Sequence, residues 1–291
     1  MTLNDLLKGK GLDPEQVLVF RHRPPEAKLN RVFPWLAQQR PDLFNAFQQS
    51  QPEKLERAMQ KAKYVASFIA RGPDRALFVG LYEVVGWKSM AYAECAALPE
   101  NVELTGFGMS GFSGTVPRPT VLWFDLSLTA LYAEWKGRLI VGWPPPPIVW
   151  WRRAHRNEMP VLAIREDNAL DDQKKPWDEL ALTWDELRVL PARLQTVIGQ
   201  WRGVYYIFDT SDCRGYVGSA YGEDNIMGRW LGYAATGHGG NVLLRTRDPK
   251  TFRFSILQRV SPDMPADDVI RVERTWKLRL HTRQPFGLND N

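Results

Sequence analysis

Two short segments rich in glycine and tyrosine constrain the fold of this 291-residue chain more than any other feature. Residues 203–208 (GVYYIF) favour a β-strand, residues 209–214 favour a turn, and residues 215–218 (GYVG) favour a second strand. The order predicts a β-hairpin. The glycines at 215 and 218 flank the second tyrosine, where they permit close approach of a ligand to the backbone.

A helix is predicted directly after the hairpin, over residues 223–236. Acidic residues occupy its first turn, and Gly237 follows its end. Arg229 and Tyr233 are four residues apart, so their side chains share one face of this helix. His238 lies in the glycine-rich loop that follows, and we expect this loop to be an exposed tip.

A strand over 252–257 (FRFSIL) and a last helix that begins at Asp263 complete the region. The last helix has an apolar stripe formed by Val269, Val272, Trp276 and Leu280. Glu273 falls at the edge of this stripe. An inward-facing carboxylate needs a metal ion, an arginine or Lys277 as partner. The alternative is an exposed Glu273–Lys277 pair at helical spacing.

These residues resemble the GIY-YIG nuclease family. Its two name tripeptides stand as Gly203-Val204-Tyr205 and Tyr216-Val217-Gly218, with the tyrosines 11 positions apart. The other hallmarks follow in the family's order: Arg229, Tyr233, His238, Glu273 and Asn289. The likeness covers residues 201–291. It departs from phage intron homing endonucleases in a longer gap between 216 and 229, and in a tyrosine where they carry histidine. Excision-repair nuclease subunits also carry tyrosine there.

The resemblance implies a domain with a small antiparallel sheet flanked by helices. It also implies hydrolysis of phosphodiesters with one Mg²⁺ or Mn²⁺ ion per active site. Glu273 would bind the metal ion, and Arg229 would clamp a phosphate oxygen. A lowered phenol pKa makes Tyr205 the first choice for general base, with Tyr233 as the alternative. Tyr216 and His238 would orient water or phosphate. Asn289 would bond to backbone or substrate and hold the C-terminal end.

Length and composition predict an α+β protein of two domains. The first domain, over 1–165, is expected to contain a helix capped by Ser50 and Glu53 whose apolar stripe continues to Ile69. Four strand-like runs follow it, at 75–85, 120–125, 138–143 and 161–164. The polar segment 166–182 is expected to be a linker. The nuclease-like domain would then span 183–291 and open with a helix capped by Thr183 and Glu186.

The strand-rich run 76–87 is similar to the small β-barrel modules of the PUA and EVE family, which bind RNA or a flipped, modified DNA base. Trp87, Trp123 and Trp143 are candidate walls for a base pocket, although core packing is the alternative for each. Aromatic and cationic side chains that interleave over one segment predict nucleic-acid contact. They are Trp150, Trp151, Arg152, Arg153 and Arg156. The alternative for this segment is a solvated strand edge. His22, His155 and His281 show no metal-ligand spacing.

Composition excludes several classes of protein. A net charge of +5 suits a polyanionic partner without requiring one. Two cysteines are too few for a disulfide framework, and no apolar stretch is long enough to cross a bilayer. The N-terminus does not resemble a signal peptide, so a cytoplasmic location is expected.

The sequence predicts a metal-dependent DNA endonuclease with an N-terminal DNA-recognition domain. Restriction or defence is the expected role, with modification dependence left open. The alternatives are a non-cleaving nucleic-acid-binding protein and an RNA-directed or structure-specific repair nuclease. Double-strand cleavage would need a homodimer or two successive nicks.

Overall fold

The structure is a computed structural model that describes residues 1–111, 118–170, 176–223 and 225–290. It mixes helices with strand-rich sheets, which is compatible with the α+β class. The chain divides into two compact units, 1–172 and 173–291. Residues 171–175 of the segment expected to be a linker lie outside the described residues. Residues 177–183 belong to the second unit, where they form a 3₁₀ turn (Trp177–Glu179) and a strand (Ala181–Thr183).

The described residues of the first unit form a seven-stranded sheet in the order β6-β1-β2-β3-β5-β7, with β4 paired to β3. The strands are β1 (Val17–His22), β2 (Tyr64–Ala70), β3 (Arg75–Ala91), β4 (Thr120–Leu128), β5 (Leu139–Gly142), β6 (Trp151–Arg153) and β7 (Val161–Ile164). The helices are α1 (Leu3–Gly9), α2 (Ala27–Gln39), α3 (Pro41–Gln49), α4 (Glu53–Met59), α5 (Tyr92–Ala96) and α6 (Pro99–Gly106).

Strands β1 and β2 are parallel, and helices α2, α3 and α4 form the connection between them. The remaining pairs of this sheet are antiparallel. A hydrophobic core packs against this sheet, and it includes Val19, Phe68, Phe78 and Trp143. Strands β6 and β7 end the strand order, and the described residues give no support to the likeness to a small β-barrel.

The helix predicted from Ser50 to Ile69 is wrong in both its cap and its end. Helix α4 starts after Pro52 without a side-chain cap, and Ser50 forms a β-bridge with Trp123 instead. The helix stops at Met59, and the apolar residues that follow lie in β2. Residues 65–69 are all buried, on both faces of the strand. A run buried on both faces is apolar throughout, so periodicity alone does not separate it from a helix.

The described residues of the second unit form a four-stranded antiparallel sheet in the order β10-β9-β11-β8. The strands are β8 (Ala181–Thr183), β9 (Arg202–Asp209), β10 (Arg214–Ala220) and β11 (Phe252–Val260). The helices are α7 (Trp184–Arg188), α8 (Ala192–Gly199), α9 (Asn225–Thr236) and α10 (Ala266–Arg279). None of the helices in the described ranges has the length and apolar character needed to cross a bilayer.

Local sequence explains several elements of this unit, although α9 begins at Asn225 rather than at 223 and α10 begins at Ala266 rather than at Asp263. The predicted hairpin is confirmed as β9 paired with β10 in continuous register. The predicted capping box is confirmed at the start of α7, where the Thr183 hydroxyl accepts a hydrogen bond from the Glu186 amide and the Glu186 carboxylate accepts one from the Thr183 amide. Helix α9 ends at Thr236 before Gly237, which has a positive φ of 79°.

Candidate active site

Three tyrosines form a cluster on one face of the second-unit sheet. Tyr205 lies on β9, Tyr216 on β10 and Tyr233 on α9, and their ring centroids are 6.1 to 6.4 Å apart. Gly218 makes this packing possible. A Cβ atom at this position would lie 2.5 Å from the Tyr205 ring, so any side chain would push the ring away. The hairpin therefore brings the two tyrosines of the tripeptides together, and α9 adds the third.

Arg229 extends this cluster toward solvent. Its Nε donates a hydrogen bond of 3.4 Å to the Tyr205 hydroxyl, which in turn lies 3.2 Å from the Tyr233 hydroxyl. The side chain is exposed. Among the described residues, no acceptor bonds to its two terminal nitrogens. The neighbouring Tyr205 oxygen raises the pKa of Arg229 above its ordinary value, so the guanidinium stays charged.

The expected lowering of the Tyr205 pKa is wrong. Tyr205 is fully buried, and burial together with the nearby Tyr216 raises the pKa of its phenol, which outweighs the opposing effect of Arg229. Burial and Tyr205 raise the pKa of Tyr233 as well. Both phenols therefore resist ionisation. Tyr216 is half-buried, so it is the member of the cluster that solvent can reach.

Glu273 is held by two groups. One carboxylate oxygen accepts from the ammonium of Lys277 at 2.7 Å, and the other accepts from the hydroxyl of Ser219 on β10. Lys277 is only 5% exposed, so the pair is not the exposed surface pair considered from the sequence. Ser219 and Tyr216 are three positions apart on a regular strand, so they leave opposite faces. Glu273 therefore contacts β10 from the side opposite to Tyr233.

The donor chemistry around Glu273 fits a hard divalent cation. Mg²⁺ is commonly held by one or two carboxylates and several waters, so a single glutamate is sufficient on the protein side. Both oxygens of Glu273 also accept hydrogen bonds, from Lys277 and from Ser219, so a cation there would share the carboxylate with the Lys277 ammonium. Within the described ranges, no group of three or more His, Cys, Asp or Glu side chains could hold a metal ion. Metal binding by Glu273 stays a prediction.

Asn289 completes the edge of the sheet. Its side-chain oxygen accepts from the Val217 amide at 3.0 Å, and its side-chain nitrogen donates to the Val217 carbonyl at 2.8 Å. The amide of Leu288 also donates to the Gly215 carbonyl. The Asn289 side chain thus takes the place of a further strand beside β10. Because these bonds use both of its polar atoms, Asn289 holds the backbone next to Tyr216.

His238 lies in the loop that ends α9. Its Nδ1 accepts a hydrogen bond of 3.0 Å from the Gly240 amide, which leaves the proton on Nε2. The neighbouring Gly239 lies against the Tyr233 ring, because a Cβ atom there would be 2.6 Å from that ring. His238 is half-buried rather than at a fully exposed tip. The structure gives no direct contact between His238 and the tyrosine hydroxyls.

The structure therefore brings Tyr205, Tyr216, Arg229 and Tyr233 together, with Asn289 behind Tyr216. Glu273 joins the same strand from its other face. Sequence reasoning missed Ser219, whose hydroxyl holds the Glu273 carboxylate. A lone serine at the end of a short strand carries no distinctive signal, so only the three-dimensional structure reveals this contact.

The aromatic and basic segment of the first unit has a mixed environment. Trp150 packs edge-to-face on Phe20, with ring centroids 5.6 Å apart. Trp151, Arg152 and Arg153 form β6, which pairs with β1 at the end of the strand order. Arg152 donates to the carbonyls of Pro144 and Pro146, and so helps to hold the run of four prolines at 144–147.

Arg156 is exposed and donates to the neighbouring His155 ring. Trp151 and Arg153 are half-buried. Nucleic-acid contact by this segment stays a prediction.

Comparison with known proteins gives a limited result. No protein-family model and no curated protein matches the chain. Two solved structures do match it: the catalytic domain of homing endonuclease I-TevI, and an alanine-substituted mutant of the catalytic domain of intron endonuclease I-TevI. They are 25% and 23% identical to the chain, cover 31% of it, and are themselves covered to 98% and 94%. Both TM-scores are 0.26, which is too low to carry an argument about function.

Proposed function

We propose that this chain is a metal-dependent endonuclease that hydrolyses phosphodiester bonds in DNA. The observation that carries the proposal is the state of Arg229. Its Nε is fixed on the buried Tyr205 hydroxyl, and no described residue accepts a hydrogen bond from its two terminal nitrogens. A guanidinium presented in this way is suited to bind two oxygens of a phosphate group. It would stabilise the charge that develops as the phosphodiester is attacked.

The three tyrosines have different roles in the proposed reaction. Tyr216 is the phenol that solvent reaches, so we assign it to orient the attacking water. Tyr205 and Tyr233 are buried, and we assign them to hold Arg229 through the hydroxyl pair at 3.2 Å. Asn289 keeps the backbone beside Tyr216 in place. The role of His238 in orienting water or phosphate stays a prediction.

Glu273 would hold a Mg²⁺ or Mn²⁺ ion, one per active site. Bound there, the ion would neutralise charge on the phosphate and on the leaving oxygen. Leu288 and Asn289 cover the edge of β10 at Gly215 and Val217, so a phosphodiester laid across this edge beyond Val217 can meet groups from both faces of the strand. We therefore place the scissile phosphate at this edge, between Arg229 and Glu273.

Target choice is assigned to the first unit, because the cluster occupies a small part of the chain. Restriction of foreign DNA, including DNA with modified bases, is the role that this arrangement favours. A single cluster cuts one strand at a time. Cleavage of both strands then requires a homodimer or two successive nicks.

Cleavage of matched plasmids tests the proposal. Unmodified, 5-methylcytosine and 5-hydroxymethylcytosine DNA would be incubated with the purified chain, with and without Mg²⁺. Glu273→Gln and Arg229→Ala serve as inactive variants. We expect Mg²⁺-dependent cutting that falls by about 10²-fold or more in each variant.

The pattern of substrates identifies the role. Cutting confined to one modified plasmid supports modification-dependent restriction, and cutting of unmodified DNA at fixed sites supports sequence-specific restriction. Cleavage of RNA alone would overturn the assignment to DNA. Absence of cutting on every substrate would favour a binding protein, and activity unchanged in both variants would refute the catalytic assignment.

A further inference from the structure

The first unit contains a cavity of about 730 Å³, within the range of sites that bind small molecules. It opens beyond the carboxyl end of β1, and residues 21–26 line it as the chain leaves that strand. Strand β1 is parallel to β2 and connected to it by helices, and ligands of such units bind beyond the carboxyl ends of the strands. We call this space the β1 cavity.

Aromatic side chains from three distant parts of the sequence line the β1 cavity: Phe47, Tyr92 and Trp150. All three are half-buried, so part of each side chain remains accessible. Trp87, Trp123 and Trp143, the walls considered from the sequence, are not among its lining residues. Flat aromatic surfaces of this kind are suited to stack on a heterocyclic ring.

His22 holds two of these aromatic side chains. Its ring centroid lies 5.5 Å from that of Phe47 and 6.1 Å from that of Trp150. Its Nε2 lies 3.3 Å from the Gln48 side-chain oxygen, which also accepts from the Ser67 hydroxyl. An oxygen acceptor at this position assigns the His22 proton to Nε2. Burial lowers the pKa of His22 to about 4, so the ring is neutral at pH 7. The neutral ring adds no charge to this wall.

Polar and charged groups complete the lining. Asn101 is buried and donates to the Cys95 carbonyl at 2.7 Å. The Glu26 carboxylate accepts hydrogen bonds from the amide and the hydroxyl of Ser110, so it holds this residue beside the cavity. Arg23 is exposed and has no ion-pair partner among the described residues. The cavity therefore combines stacking surfaces with the exposed amide of Asn30, the Glu26 carboxylate and two arginines. Arg21 is buried and donates to backbone carbonyls, whereas Arg23 is exposed.

We propose that the β1 cavity binds one unpaired nucleobase together with its phosphate. The aromatic side chains would stack on the base, the Asn30 amide would bond to its edge, and Arg23 would contact the phosphate. The same chemistry is present in a nucleotide extruded from DNA and in a free nucleoside monophosphate. The first source would deepen the proposed function, because the base would decide where the second unit cuts. The binding itself does not depend on cleavage.

Calorimetric titration of the full chain in EDTA tests the proposal without any contribution from cleavage. The ligands are the four common deoxynucleoside 5′-monophosphates, the 5-methyl and 5-hydroxymethyl forms of deoxycytidine monophosphate, and deoxyribose 5-phosphate as a base-free control. We expect saturable binding of at least one nucleotide and none of the control. Binding of no nucleotide, or equal binding of the control, would overturn the proposal.

Variants locate the site. Trp150→Ala and Phe47→Ala should each weaken binding at least tenfold, whereas Trp87→Ala should leave it unchanged, because Trp87 is 46% exposed and outside the cavity. Circular dichroism checks folding. Arg23→Ala changes an exposed side chain, and it should weaken binding of the nucleotide but not of the matching nucleoside. Undiminished binding in Trp150→Ala, Phe47→Ala and Arg23→Ala would overturn the assignment to this cavity.

Competition separates the two sources. A duplex that carries the preferred base opposite a mismatch should displace the bound nucleotide if the cavity takes an extruded base. Failure to displace it would identify a free nucleotide as the ligand and would remove the link to target choice. Because every step is carried out in EDTA, a chain that binds but never cuts would support this proposal while the proposed nuclease function fails.

Discussion

The two units arrange aromatic side chains in different ways. In the β1 cavity, half-buried aromatic side chains line a concave space, and the histidine that contacts them is neutral. In the second unit, two phenols are buried and support Arg229, an exposed cation. The first arrangement favours a flat neutral group, whereas the second favours phosphate. Under the proposals above, the first unit would recognise a base and the second would act on the backbone.

The difference between the half-buried Tyr216 and the buried Tyr205 gives the largest expected effect. Tyr216→Phe should lower the single-turnover cleavage rate by about 10²-fold or more, because it removes the phenol that meets the attacking water. Tyr205→Phe should lower it by about tenfold, because it acts only by holding Arg229. DNA affinity in EDTA should be unchanged in both. Equal losses in the two variants would contradict the division of roles.

Acid should destabilise the two units at different pH values. The pKa of His22 is lowered to about 4, so between pH 6.5 and 4 the unfolded chain binds a proton that the folded first unit excludes. The contribution of neutral His22 to the free energy of unfolding is complete above pH 6.5. This free energy falls by on the order of 3 kcal/mol as the pH drops to 4. Hydrogen exchange of β1 and α2 at pH 7 and pH 5, corrected for intrinsic rates, measures this loss.

The second unit provides the contrast. Burial alone would raise the pKa of Asp209, but hydrogen bonds from Ser211 and Arg247 outweigh it and hold this pKa at about 2. The stabilisation from Asp209 is therefore present above pH 4 and is lost only as pH falls toward 2. Strands β9 and β10 should stay protected at pH 5. His22→Gln should abolish the response of the first unit, and equal loss of protection in both units would be inconsistent with these pKa values.

Removal of the Asn289 side chain should weaken the second unit alone. Asn289→Ala leaves the Val217 amide and carbonyl without their partner, which should cost about 1–3 kcal/mol. Thermal unfolding measures the cost, and hydrogen exchange of β10 locates it. Asp290→Ala changes the exposed neighbouring residue and should have little effect. Protection of β10 that is the same in both variants would show that Asn289 does not hold this edge.

The smallest effect concerns the cation beside Glu273. Lys277→Met removes the ammonium 2.7 Å from the carboxylate, so affinity for Mn²⁺ should rise by about tenfold, or 1.4 kcal/mol. Electron paramagnetic resonance of free Mn²⁺ measures binding without reference to activity. Glu273→Gln is the matched control and should abolish this site. Affinity unchanged by Lys277→Met, or retained in Glu273→Gln, would place the metal elsewhere.

The two units also differ in how much of their structure the sequence predicts. In the second unit, residues 203–236 form the hairpin and the helix that follows, so the tyrosines and Arg229 are close in sequence as well as in space. Local spacing was therefore sufficient to predict the hairpin, the helix face and the capping box at Thr183. The raised pKa of Tyr205 was not predictable in this way, because it results from burial by the whole unit.

The first unit shows why the rest could not be predicted. The aromatic lining of the β1 cavity comes from residues 47, 92 and 150, and no local pattern links them. The parallel pairing of β1 with β2 joins segments separated by three helices. Both faces of strand β2 are buried, so its sequence is apolar throughout and predicts a helix as readily as a strand. Contacts over such distances are set by the packing of the complete unit.

The most direct test of the central claim is the single-turnover cleavage rate of Arg229→Ala, with Arg271→Ala as matched control. Arg271 is an exposed arginine on α10 that pairs with Asp268 on the same helix. With protein in excess over a supercoiled plasmid and Mg²⁺ present, we predict that Arg229→Ala cuts about 10²–10³-fold more slowly than the unchanged chain, whereas Arg271→Ala cuts at the same rate. Equal rates for all three proteins would contradict the claim that Arg229 and the tyrosines around it form the active site.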